Sequence, residues 1–222
     1  MKKIMFIILA LSLTACAGYN GADGSNGAKG APGIAGPQGP AGTPAPIPPT
    51  PTSIQLLVNA ENAYRDTVGQ EPLTPGLACT LYTVPTTTTA IAGATLTNVG
   101  SFEFLGVFNQ PNTNVSVGLN ILPHNIQSVF QTWYIVKCTG QLVVADDNWH
   151  QFVLNSDDGS LLSVGGALIN NDGLHAATAK SAIKFMKHGL YSFELDFLQG
   201  AGLQQLNLNM DNSVLGSAHF YH

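Results

Sequence analysis

Residues 149–210 read WHQFVLNSDDGSLLSVGGALINNDGLHAATAKSAIKFMKHGLYSFELDFLQGAGLQQLNLNM, and the spacing of apolar residues in this stretch decides the architecture. Short runs near period two, His150–Leu154, Leu161–Val164, Ala182–Met186, Tyr191–Phe197 and Gln205–Met210, are separated by turn residues such as Asp-Asp-Gly, Gly-Gly and Asn-Asp-Gly. Runs of this length between turn signals predict antiparallel strands, because a strand turns alternate side chains to opposite faces. Toward the N-terminus the same pattern holds for Phe102–Phe108, Val115–Leu119, Trp133–Val136 and Gln141–Val144. The expectation is an all-β, antiparallel β-sandwich. Pro85 to Thr89 is β-prone but has no partner that the sequence identifies. Asp146-Asp147-Asn148 reads as a solvated hairpin turn, and Trp133 and Trp149 read as core residues of their strands.

Four blocks within the stretch occur in a recognisable order. An aromatic strand enters Ser156-Asp157-Asp158-Gly159-Ser160, and an apolar strand leads to Gly165-Gly166 and then Asn171-Asp172-Gly173-Leu174-His175. Gly189-Leu190-Tyr191-Ser192-Phe193-Glu194-Leu195 follows, and a Phe-x-Gly-x-Gly type of loop precedes the last strand, over Phe197 to Leu208. In these blocks the chain resembles the PA-fourteen family, the carbohydrate-binding sandwich named after the anthrax protective antigen. The resemblance covers roughly residues 100–210. It implies a twisted β-sandwich in which two adjacent aspartates, joined by a cis peptide, hold Ca²⁺ that coordinates sugar hydroxyls. Carried over, the pair is Asp157 and Asp158. A further ligand comes from the loop before the last strand, where Gln199 is the first candidate and the carbonyls of Gly200 and Gly202 can supplement it. All are hard oxygen donors of the kind Ca²⁺ takes. The alternative is a structural turn in which one carboxylate caps backbone N–H groups and the other bonds Asn171 or His175.

Outward from the strands, the N-terminal part carries two further signals. Lys2 and Lys3 precede an apolar run, Ile4 to Leu13, too short to span a bilayer, and Leu13-Thr14-Ala15-Cys16 follows. The order resembles a bacterial lipobox, which implies a signal peptide over 1–15, a lipidated start at 16–17 with Cys16 as the acylated residue, and delivery to the outer membrane as a surface-exposed lipoprotein. Acyl chains would then be the membrane contact.

Glycine next occupies 18, 21, 24, 27, 30, 33, 36, 39 and 42 without a break. Strict period three is the mark of a collagen triple helix, where only glycine fits at the crowded axis. Residues 18–44 therefore predict a collagen-like stalk about 80 Å long at about 3 Å per residue, and a homotrimer. The proline-rich stretch at 45–52 is a stiff joint. Residues 53–100 are a neck with accessory strands, in which Ser53–Thr67 forms a short helix suited to trimerisation, and residues 101–222 are the sandwich.

Composition narrows the function. The 222 residues hold 8 Lys+Arg and 13 Asp+Glu, and only 9% are charged. Loss of residues 1–15 leaves six basic residues and a net charge of −7. Clustered Lys and Arg for nucleic-acid phosphates are missing. In an exported chain, Cys79 and Cys138, which remain after Cys16, predict one disulfide. The six histidines have no zinc-protease spacing, and there is no Gly-x-Ser-x-Gly or Walker loop, so the expectation is not an enzyme. His219 and His222 read as a strand edge rather than a chelate, and His175 as part of its turn. Two functions remain open: a trimeric adhesin whose head binds a cell-surface glycan or protein ligand, with Ca²⁺ as the cofactor of the glycan mode, or a structural fibre tip whose head binds no sugar.

Overall fold

The computed structural model describes residues 51–222; the lipobox, the Gly-x-y repeat and most of the proline-rich joint lie outside the described residues. The described residues begin with a helix, α1 (Pro51–Thr67), two residues longer at its start than the apolar spacing predicts. Ile54 and Val58, four residues apart on one face, are buried against Leu73, Val143 and Tyr221, with Leu57 beside them. Burial of two such side chains stabilises the helix by about 1.5–3 kcal/mol each. The helix ends in paired bonds from Gly69 N to Asp66 O and from Gln70 N to Arg65 O. That ending requires a left-handed residue, and Gly69 supplies φ +70°. The buried stripe of α1 packs on the chain's own seven-stranded sheet through Val143 and Tyr221.

The strands follow in order: β1 (Leu77–Thr83), β2 (Thr97–Phe104), β3 (Asn109–Asn114), β4 (Tyr134–Val144), β5 (Asn148–Asp157), β6 (Ser160–Val164), β7 (Ala167–Asn171), β8 (Thr178–Met186), β9 (Gly189–Gln199), β10 (Leu203–Met210), β11 (Ser213–Val214) and β12 (Phe220–Tyr221), with one helical turn, α2 (His124–Gln127), before β4. They form two sheets. The seven-stranded sheet runs β2-β1-β4-β9-β6-β7, with β12 also on β4; the five-stranded sheet runs β11-β10-β5-β8, with β3 also on β10. Every strand pairing is antiparallel. The sandwich expected from the spacing is the observed architecture.

Alternation fills the space between the sheets. Phe152 and Leu154 of β5, Phe193, Leu195 and Phe197 of β9, and Leu206 and Leu208 of β10 all enter one buried core. Phe108, Phe193 and Phe220 meet within it, with ring centroids 4.5–6.4 Å apart, in the tilted and edge-on arrangements that aromatic quadrupoles favour. Cys79 and Cys138 are directly opposed in the β1–β4 ladder and form a disulfide. Lys180 and Lys184 of β8 stitch the two layers, donating to the Asn170 carbonyl at 2.8 Å and the Gly165 carbonyl at 3.1 Å in the opposite sheet.

Three local readings change. Val115–Leu119, expected as a strand, is a 3₁₀ turn over Val115–Val117, because the Asn114 side chain accepts from Ser116 N and caps it. Phe102–Phe108 is not one strand: β2 stops at Phe104, and Phe108 N turns to Leu215 O. The runs expected at Trp133–Val136 and Gln141–Val144 merge into a single long strand, β4, which starts at Tyr134 because Trp133 turns to φ +58°, and which is flanked by β1 and β12 on one side and β9 on the other.

Two outcomes follow. The bridge closes a loop of 59 residues, which the chain-entropy description credits with about 4 kcal/mol. Replacement of both Cys79 and Cys138 by Ala is therefore expected to lower the urea-unfolding free energy by up to that amount, and an unchanged midpoint would remove the bridge from the stability of the head. His219 is the second case. Burial holds its imidazole below the ordinary 6.5, so the unfolded chain takes up the proton first and stability is lost as the pH falls through 6.5. His219→Gln should make the melting temperature less sensitive to acid over that window than in the parent chain, and equal pH slopes would contradict it.

Candidate functional site

The loops at one end of the sandwich converge on the peptide between Asp157 and Asp158, which is cis. Strand β5 delivers Asp157 as its last residue, and the turn through Gly159 starts β6 at Ser160. Gly159 is dictated by contact: a Cβ there would meet the backbone of Gly173 at 2.7–2.8 Å. The turn can therefore hold only glycine where the 172–173 loop crosses it.

Both carboxylates are buried, and their partners are backbone N–H groups. Asp158 Oδ1 accepts from His175 N at 3.1 Å and Oδ2 from Gly200 N at 2.8 Å. Asp157 Oδ2 accepts from Ala177 N at 3.1 Å. One aspartate pair thus ties three loops, at 157–159, 172–177 and 199–203. Among the described residues no Lys or Arg side chain bonds either carboxylate. Burial pushes both carboxyls above the ordinary carboxylate value, and at Asp157 the charge of Asp158 adds to the effect.

Beneath the pair lies a polar network that the sequence only half shows. Ser156 and Ser160 hydroxyls lie 2.6 Å apart, and Asn171 donates to Ser156 Oγ and to the Thr178 carbonyl, each at 2.9 Å. Asn171, proposed as a partner of the aspartates, bonds these groups instead. His175 reaches Asp158 through its backbone N–H, while its ring nitrogens lie 2.9 Å from the carbonyls of Ala176 and Asn171. The sequence missed Asp172, whose carboxylate accepts from Ile91 N at 2.6 Å and Ala92 N at 3.0 Å. It draws the 84–94 segment onto the seven-stranded sheet, where Val84 and Ile91 bury with Ile135 and Leu198. The Asn-Asp-Gly turn was the available signal, since such aspartates bond nearby backbone N–H groups.

Gln199 ends β9 fully buried. Its Nε2 donates to the Leu203 carbonyl at 2.9 Å, and its Oε1 has no partner. Gly200 joins the aspartates through its N–H, and its carbonyl accepts from Trp133 N at 3.2 Å; Gly202, at φ +105°, completes the loop. The oxygen donors match a hard cation: two carboxylates without a cationic side chain, an unpartnered amide oxygen and loop carbonyls. Asp157, Asp158 and Gln199 would hold such an ion, with Gly200 and Gly202 carbonyls as supplements. Among the described residues no group of three or more His, Cys, Asp or Glu side chains forms a metal cluster, so an ion held here would need amide and carbonyl oxygens besides the two carboxylates. His222 pairs with Glu103 at 3.2 Å, and His219 approaches the Gly216 carbonyl at 3.3 Å, which agrees with the strand-edge reading.

No family model and no curated protein matches the sequence. Solved structures do match the fold. A PA14 sugar-binding domain from an RTX adhesin aligns at TM-score 0.50 and 19% identity, over 67% of this chain and 99% of that one. The PA14 domain of the MpAFP antifreeze protein aligns at TM-score 0.52 and 14% identity, over 68% and 93%. An anti-sigma factor domain-containing protein aligns at TM-score 0.51 and 18% identity over 67% of this chain, which spans about half, 48%, of that one. The head is an antiparallel β-sandwich. More narrowly, its fold is that of the PA14 domain, as the ordered blocks of sequence imply.

Asp158→Ala strands the N–H groups of His175 and Gly200. Loss of their acceptor is expected to cost roughly 1–3 kcal/mol in urea unfolding; a midpoint equal to the parent's would show that water replaces the carboxylate.

Proposed function

We propose that the chain is a lipid-anchored, trimeric surface adhesin whose PA14-like head binds cell-surface glycans at the Asp157–Asp158 loops. One observation carries the reading: two adjacent buried carboxylates, bonded among the described residues by backbone N–H groups alone, lie where three loops meet, and the residue before Gly200, Gln199, is buried with an unpartnered amide oxygen. A solved domain with the same fold is the PA14 sugar-binding domain of an RTX adhesin. A Ca²⁺ ion at this pair would offer its remaining coordination positions to sugar hydroxyls. Asp157 and Asp158 supply the charge, while the loop N–H groups of Ala177, His175 and Gly200 fix the direction of both carboxylates. Three heads on one Gly-x-y stalk would convert a weak site into firm attachment by raising effective concentration.

A second reading has its own observation. Both Asp158 oxygens already accept N–H groups from two loops, as a purely structural turn requires, and the head would then be a fibre tip that binds no sugar.

The soluble mature chain, residues 16–222 with Cys16→Ser, separates the two readings on a glycan array. Calcium-dependent binding lost with chelator and in Asp157→Asn supports the adhesin reading. The substituted amide keeps an oxygen for Ala177 N and loses the charge. Binding that survives both treatments removes the ion from the mechanism, and no binding to any glycan favours the fibre tip. The same material should sediment as a trimer, and a monomer would eliminate the triple-helical stalk.

A further inference from the structure

The two sheets treat their outer faces differently. On the seven-stranded side, α1 and the 84–94 segment cover Val143, Ile135 and Leu198. All three buried apolar clusters of the described residues lie between the sheets or on that side. The five-stranded sheet instead leaves Trp149 65%, Ile183 63% and Phe185 47% exposed. Trp149, read from the sequence as core, alternates out of phase with the buried Phe152 and Leu154, so it points away from the core.

The strand register arranges this face in rows. Trp149 opposes Phe185, with ring centroids 5.6 Å apart and edge to face, and Gln151 opposes Ile183. Next come Val153 opposite Ser181 on one side and Asn209 on the other, and then Asn155 opposite Ala179 and Asn207. An aromatic and aliphatic end grades into an amide end. Trp149 and Asn155 are six residues apart on a strand, about 20 Å. No formally charged side chain lies in these rows. Lys180 and Lys184 of β8 are turned to carbonyls of the other sheet, and Asp211, at the border, is engaged by Gln151 N and His150. The side-chain oxygens of Asn155, Asn207 and Asn209 are buried and have no hydrogen-bond partner. Such groups cost free energy until something supplies a partner.

We propose that this face is a second binding surface, for an extended, uncharged saccharide chain. The chemistry of face and ligand agrees at each point. Sugar rings carry apolar C–H faces that pack on Trp149 and Phe185. Their hydroxyls both donate and accept, as do the Asn and Gln amides, which turn either end outward by rotating the terminal torsion. The neutrality of the rows matches a ligand without charge. The surface goes beyond the Asp157–Asp158 reading and does not depend on a cation.

The test is affinity electrophoresis of the mature chain, residues 16–222 with Cys16→Ser, in chelator, through gels containing hydroxyethyl cellulose, laminarin, galactomannan or dextran. At least one polymer should retard the protein. Trp149→Ala and Asn209→Asp should each weaken retardation about tenfold, with unchanged melting temperatures, while Asp157→Asn retains it. The second substitution places a charge in the amide rows, independently of any packing defect at Trp149. Absence of retardation by all four polymers, or equal retardation of Trp149→Ala, overturns the proposal. So does light scattering in which Trp149→Ala lowers the oligomeric state, because the face would then be an interface between copies. Loss of chelator-sensitive array binding in Asp157→Asn, with gel retardation intact, would separate this surface from the loop site.

Discussion

Two backbone N–H groups, from His175 and Gly200, close on the carboxylate of Asp158, and the loop end of the head depends on that clasp. Loops leaving different strands have no ladder to hold them together, so their N–H groups need acceptors from elsewhere. A single buried carboxylate satisfies two of them and Asp157 a third. Because the clasp is a full charge receiving dipoles, its bonds are stronger than neutral ones, yet burial still holds both carboxyls above their ordinary range. The arrangement is structurally competent and electrostatically unsaturated at the same time. That combination suits the same residues to a structural turn and equally to the cation site proposed for them.

The fold was legible because alternation and punctuation agreed. Strands β5, β6, β8, β9 and β10 each contain the run that period two marked, and the glycine-rich and Asx-rich turns fall between them. Failures occurred where a local bond or a distant neighbour outweighed propensity. Val115–Val117 is apolar and β-branched at its ends, but the Asn114 side chain offers Ser116 N a shorter-range partner than any strand could. β1 was covered only by the unspecified accessory strands of 53–100, because its place beside β4 is fixed by pairing over a long stretch of sequence. At the site, the Asp pair could be read from one tetrapeptide, whereas Asp172 acts on a segment 80 residues away. Period two also cannot tell which outer face will be covered. Trp149 was assigned to the right strand and the wrong side.

Scarcity of charge acquires a structural sense. With 9% charged residues, most of the cations have fixed duties in the head: Lys137 pairs with Asp196, and Lys180 and Lys184 join the sheets. Little remains for attraction at a distance, so the recognition proposed for this head would rest on short-range contact: buried carboxylates at the loops and an uncharged sheet face.

The disulfide has a mechanical meaning as well. A pull on the chain from its N-terminal side reaches α1 first, and α1 is held by apolar contacts around Ile54 and Val58, which peel one after another rather than shearing together. Tension then passes through Leu73 to β1 and stops at Cys79, whose covalent link to Cys138 transfers it to β4, hydrogen-bonded along both edges. The helix is a compliant element that yields early, and the bridge is the stop behind it. A head tethered by its N-terminus can therefore lengthen under load without unravelling the sheets that carry its surfaces.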